Sequence, residues 1–378
     1  MAKKKLLFFS IFIIIILVFV LTIYNIIYKN NNIYLNNKDE APNFISIMLE
    51  ETASSGEYKV SKSNKWPSKG YVFNKEMSYC NNGSTLTWNE NDNSVSVNIN
   101  KTDKCYVYFD IYVPTLVEYV KSQYTGTQGE NGLYYHDSTL ANGAGDNSYR
   151  YAGASDSVNN YICLGSDTTT CPDANLFRII GVFGNQTKVI RAKSVGYQQW
   201  HTSADNTWSS SSLNAYLNGT YLTSLGTIAE KIATTTWKVG GGSGSNISAS
   251  VPATAYKNEV GSSASTTIID KKIGLMYVSD YGFAASPSAW TKILGDYDGT
   301  DANGTSIKTI NWMYMGYNEW TISRRSDLTN HSFRVHSSGF VRYDHVTSSF
   351  EVRPSFNLES SVNYVSGSGS MSDPVRVN

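Results

Sequence analysis

Apolar positions are spread very unevenly along this 378-residue chain. From Leu6 to Ile27 they form a nearly unbroken run behind Lys3, Lys4 and Lys5. Such a run predicts a helix that spans a bilayer, which takes about 20 residues. It has no polar face, and no A-x-A-like cleavage site follows it. The basic residues ahead of the run outweigh those just after it, which places the N-terminus inside and the remainder outside. Past a polar stretch, 28–42, the pattern changes to short alternations of the kind that half-buried strands require. "FISIMLEET", "GYVFNKEMSYC", "NSVSVNIN" and "KCYVYFDIYVP" are examples, and their spacing predicts a small β-sandwich over 43–115.

Residues 116–130, with "TGTQGENG", read as a linker, and 131–378 as a second domain of mixed elements. Leu176–Phe183 and Val189–Ala192 form a hairpin about Gly184-Asn185. Trp208 to Asn218 reads as a helix, with serines for an N-cap, Leu213, Tyr216 and Leu217 on one face, and Asn218-Gly219 as its stop. Strands return after about residue 268, with a turn expected at His336–Gly339. Near the end, "SFEVRPSFNLESSV" alternates cleanly, with Phe350, Val352, Phe356 and Leu358 on one face, yet carries Pro354 where a ladder would want an amide.

Composition sharpens the picture in two places. Lys+Arg and Asp+Glu are equal at 31 each, so no basic field for nucleic acid is present. Four cysteines suit an oxidising exterior, and of three connectivities the local pairs Cys80–Cys105 and Cys163–Cys171 are favoured. Neither pair has the spacing of a zinc site.

The order of features in the second domain carries a resemblance. The hairpin "LFRIIGVF…TKVIRAKS" is followed by a helix of the form W-x-S-S-x-L-x-x-Y-L-N. Then come "EWTISRRS", a hairpin through Gly339 and a closing "RPSFNL". Together these resemble a C-type-lectin-like domain of bacterial extracellular proteins. The resemblance implies an α+β fold whose last strands are short and interrupted, with Pro354 at a strand start, edge or bulge. Arg353 is then expected to partner a buried carboxylate or carbonyl. The departures also matter. The Glu-Pro-Asn, Gln-Pro-Asp and Trp-Asn-Asp tripeptides of calcium-dependent sugar-binding relatives are absent, and no cysteine follows Cys171, as formylglycine-generating enzymes would need.

Candidate chemistry concentrates in 312–345, where aromatic and Arg side chains of the kind that dominate recognition surfaces are dense. Tyr317, Asn318, Arg324, Arg325, Asp327, Asn330, His331, Arg334, Arg342 and Tyr343 are the candidate ligand-binding residues. Trp312 and Trp320 read equally well as core. Asp296, Asp298 and Asp301, in "GDYDGTDANGT", form a weak candidate calcium loop that does not match the EF-hand order. No other cofactor is indicated. His331, His336 and His345 with Asp327 and Asp344 form a cluster suited to acid–base chemistry, as do His201 and Asp205 at i, i+4, and no catalytic motif contains either set.

The chain is therefore expected to be a single-pass cell-membrane protein: a basic cytoplasmic tail (1–5), a bilayer-spanning helix (6–27), a stalk (28–42) and two extracellular domains. Its expected function is noncovalent recognition or adhesion toward a protein or glycan, with no nucleic-acid partner. An extracellular enzyme such as a cell-wall hydrolase, or a structural envelope protein, is the alternative.

Overall fold

In a computed structural model, residues 43–67, 70–89, 94–98 and 103–378 are described. The tail, the apolar run 6–27 and the stalk of the sequence reading lie outside the described residues. Among those described, no helix is long and apolar enough to cross a membrane. The protein is mostly β-sheet with few helices, and it divides into two compact units at Tyr112/Val113.

The first unit is built on a four-stranded sheet in the order Tyr58–Val60, Asn43–Glu50, Asp103–Ile111, Tyr71–Cys80. Its central pair is parallel and the outer pairings antiparallel. Asp103, Cys105, Val107 and Phe109 alternate inward along the third of these strands, the period of two expected when one face is covered. Ile47, Val107 and Phe109 form the core. The separate hairpin Thr85–Asn89/Ser94–Asn98 packs there through Trp88, whose ring lies 5.4 Å from Phe73 and 5.7 Å from Phe109. Cys80 and Cys105 are cross-strand partners joined in a disulfide, and Cys163 and Cys171 form a second, so both local pairings are present.

Residues 116–130 are not a linker but the start of the second unit. Leu116–Ser122 is a helix with a Thr115/Glu118 capping box, and Leu116, Val117 and Val120 are buried in the main core. The unit contains two large sheets. One follows the order Ile273–Gly274, Ser355–Leu358, Gln186–Arg191, Leu176–Phe183, Tyr161–Cys163, Val375–Val377, Tyr364–Ser366, with Leu133–His136 and Ser148–Tyr151 attached through Gly181 and Val182. The other is Tyr197–Gln199, Ser349–Glu351, Glu319–Arg324, His331–Val335, Val341–His345.

Pro354 lies where the chain passes between these sheets, after Ser349–Glu351 ends and before Ser355–Leu358 begins. It needs no amide there, and its carbonyl accepts from Arg191 N at 3.0 Å. Val352, Phe356 and Leu358 are fully buried as expected, Phe350 is half-buried, and Arg353, Ser355 and Asn357 of the opposite face are buried as well, so the segment is covered on both sides. Arg353 grips Glu319 through two hydrogen bonds of 2.7 and 2.9 Å and donates to Met313 O at 2.8 Å.

In the stretch predicted as a Trp208–Asn218 helix, Trp208–Ser210 is a separate 3-10 turn and the α-helix begins at Ser212, capped as expected by a serine, Ser211, which accepts from Asn214 N at 3.1 Å. The helix does not stop at Asn218-Gly219. A wide turn over Leu217–Tyr221 carries it on to Ser224. The Asn218 amide is used elsewhere, bonding Ile273 O at 2.8 Å and accepting from Ile273 N at 3.0 Å. It ties the helix to the edge of the first large sheet.

Candidate functional site

Three antiparallel strands, Glu319–Arg324, His331–Val335 and Val341–His345, carry most of the candidate residues. The register pairs His331 with His345, Phe333 with Tyr343 and Val335 with Val341 on one face. Ser332 with Asp344 and Arg334 with Arg342 occupy the other. On the first face Phe333, Val335 and Val341 are core, and only the His331/His345 end reaches the surface.

At that end a cation–aromatic patch is assembled. The Arg325 guanidinium lies 3.9 Å from the Tyr343 ring centroid, close enough for strong attraction to the ring face. Asp327 clamps it from the solvent side through Nε (2.9 Å) and Nη2 (2.6 Å). The His331 ring stands 5.7 Å from Tyr343 and 5.6 Å from His345. Burial, reinforced by His345 and Arg325, pushes His331 below the usual imidazole range. The patch therefore presents a neutral donor–acceptor ring at neutral pH. Asp327 is exposed, while Asn330, His331, Tyr343 and His345 are half-buried.

The loop between the first two strands is fixed from beneath by Asn206, which the sequence reading did not single out. Its side-chain amide lies 2.7 Å from Arg325 O, 2.8 Å from Leu328 O and 2.7 Å from His331 O. Its Oδ1 accepts from Arg324 Nη1 at 3.0 Å. Nothing local in the sequence marks this role, because the partners lie more than 110 residues downstream. A second clamp comes from the glycine-rich loop: Gly242 N donates to Arg324 O at 3.2 Å, and Ser326 N to Gly242 O at 3.1 Å. Gly241 takes a left-handed φ of 75°, and a Cβ there would meet Arg324 O at 2.2 Å, so that loop can only pack here without side chains.

The remaining candidates separate into frame and surface. Arg324 belongs to the frame, spent on Val239 O at 2.9 Å and on Asn206. Trp312 and Trp320 are core, and each indole N–H is satisfied by a backbone carbonyl. On the opposite face Arg334 bonds Asp344 (3.2 Å) and Asn318 (2.9 Å) over the Phe350 ring. Arg342 is exposed, and Tyr317 is half-buried beside this cluster's strand. The acid–base cluster is divided: His331 and Asp344 are on opposite faces, and His336 sits in the turn, stacked on Phe340 at 4.2 Å.

The acidic loop is likewise not a converged set. Asp301 turns inward and caps the amides of Asn303 (2.9 Å) and Thr305 (2.8 Å), whereas Asp296 and Asp298 are exposed. Among the described residues, the one trio whose ligand atoms fall within 4.8 Å of one another is Cys80, Asp103 and Cys105, and both cysteines are already in a disulfide.

No protein-family model, no curated protein and no solved structure matches this chain.

Proposed function

We propose that the protein is a surface-displayed recognition protein of lectin-like type, anchored in the cell membrane through residues 6–27. On this reading it binds a protein or glycan noncovalently at the patch around Arg325, Asp327, His331, Tyr343 and His345. The observation that carries the reading is the preset geometry of that patch. Arg325 is held in register by Asp327 and Tyr343 before any ligand arrives, so little ordering entropy remains to be lost on binding. Leu328, 38% exposed at the loop tip, adds apolar area beside it. The first unit, with its own core, would act as a spacer.

The test is binding of the purified protein to a glycan array and to intact cells, with calcium and with chelator. Selective binding that Asp327→Ala and Tyr343→Ala abolish, and that Val365→Ala (56% exposed, on another strand) leaves intact, supports the reading. Binding that both patch variants retain, or none on either surface, refutes it.

A further inference from the structure

One row of paired residues crosses the first large sheet: Arg150 opposite Gly181, Gly181 opposite Lys188, Lys188 opposite Asn357. Residues so paired project from the same face, so three polar side chains stand together, all of them buried. Gly181 is required in this row, since a Cβ there would meet Tyr149 O at 2.1 Å. Arg150 and Lys188, on the strands either side of it, reach the same acid. Lys188 Nζ bonds Asp280 Oδ2 at 2.5 Å, and Arg150 Nη1 lies 3.8 Å from Asp280 Oδ1. Arg150 Nη2 also bonds Asp146 at 2.7 Å.

These groups form the floor of a cavity of about 130 Å³, walled by Phe183, Trp237, Tyr256 and Tyr277. Thr236 at its mouth is exposed, and Phe183, Thr235 and Tyr256 are half-buried, so the cavity meets solvent. On a scale where one water needs about 10–15 Å³, it accommodates about ten heavy atoms, which is a single ring with its substituents.

The polar groups of the floor are incompletely used. Asn357 is 8% exposed; its Nδ2 bonds Thr235 Oγ1 at 3.0 Å, while its Oδ1 has no hydrogen-bonding partner. Turning the amide over merely exchanges the unpartnered atom, because a threonine hydroxyl serves as donor or acceptor. Among the described residues, the Lys188 ammonium makes its one hydrogen bond to Asp280, yet carries three donors. Around it stand the rings of Tyr277 (4.7 Å), Trp237 (5.4 Å) and Phe183 (5.7 Å).

Charge is already matched inside the protein: two cations face Asp280 and Asp146, with Glu259 buried behind them. An ionic ligand would upset that balance at high desolvation cost. A suitable occupant is neutral, one ring in size, apolar on a face and rimmed by groups that both donate and accept.

We propose that this cavity binds one saccharide ring, its C–H face against Trp237 and Tyr256 and its hydroxyls on Lys188 and Asn357. The site shares no lining residue with the Arg325 patch, so the two readings stand or fall separately.

The test uses the full-length protein. Glucose, galactose, mannose, N-acetylglucosamine and N-acetylgalactosamine are offered at millimolar concentration in saturation-transfer NMR, and as terminal residues on an array. At least one is expected to bind, as a free sugar or as a chain terminus, and either form upholds the proposal. Asn357→Ala is expected to weaken binding about tenfold, the effect of one lost hydrogen bond. The variant should stay folded, with its unfolding midpoint lowered only by the loss of the single bond to Thr235. Thr236→Trp, at an exposed position, is expected to close the mouth and abolish binding. No binding of any of the five sugars in either form, or binding that survives both variants, overturns the proposal.

Discussion

Arg353→Met is the most informative single change for the second unit. It keeps length and apolar bulk but strands Glu319, which is fully buried and otherwise held by that guanidinium. Burial already pushes the Glu319 carboxyl above its ordinary value of 4.5 with Arg353 in place. Without the arginine, the acid escapes by taking up a proton. At pH 7 this costs about 1.4 kcal/mol for each pH unit above 4.5, or about 3 kcal/mol. Loss of the bond to Met313 O adds about 1 kcal/mol. The total, about 4 kcal/mol, falls within the ~3–5 kcal/mol typical of a broken buried pair.

At pH 5 protonation is nearly free, so the cost should fall to about 2 kcal/mol. Adding Glu319→Gln to Arg353→Met should recover about 2 kcal/mol at pH 7 and almost nothing at pH 5. Urea unfolding followed by tryptophan fluorescence reads this unit, because Trp200, Trp208, Trp237, Trp290, Trp312 and Trp320 are all buried in it. A cost below about 1 kcal/mol at pH 7, or one independent of pH, would refute the stranded-carboxylate account.

Three further outcomes are expected. Burial pushes Glu259 from 4.5 up to about 7, against the pull of its hydrogen bonds from Ser279 N and Ser323 Oγ. The native state therefore holds a proton that the unfolded chain releases between those values, and the Glu259 contribution to stability falls as pH rises across that window. Glu259→Gln should gain on wild type by up to about 3 kcal/mol between pH 4.5 and 8. His136, buried and held well below its usual range, acts in the opposite sense but is common to both proteins and cancels in the difference. A flat difference would sink the assignment.

Asn206→Ala leaves the carbonyls of Arg325, Leu328 and His331 without their shared donor. It should cost about 2 kcal/mol and speed amide exchange in 325–331 more than in 176–191; uniform exchange would contradict the clamp. Replacing Cys163 and Cys171 by serine opens a loop of sequence separation 8, worth about 2.5 kcal/mol in chain entropy. A loss of less than about 1 kcal/mol would mean that the three Arg376 bonds to Ser166, Thr168 and Thr169 carbonyls already fix this loop.

Periodicity made the covered strands legible. Asp103–Ile111 buries the alternate positions expected, whereas Ser355–Leu358 is buried at every position, and Pro354 falls at the break between sheets, where no ladder needs its amide. Arg353 was legible as a type, a buried cation in need of an acid, while its partner 34 residues earlier was not. Lys188 shows why pattern fails in the middle of a sheet. In "QTKVIR" it has the look of a solvent-facing position, but the strand is covered on both faces and the ammonium is buried on Asp280, 92 residues downstream.

The Arg324-Arg325 doublet marks the sharper limit. Consecutive residues at a strand end leave on opposite sides, so half-buried Arg324 bonds Val239 O and Asn206 while Arg325, 8% exposed, lies between Tyr343 and the exposed Asp327. A sequence displays the two as equals. The different partners of the two arginines depend on Asn206 and Gly241, residues from distant segments that pack against the backbone of this loop. Residue type thus placed this cluster within one loop, and long-range hydrogen bonding decided which partner each of its charges took.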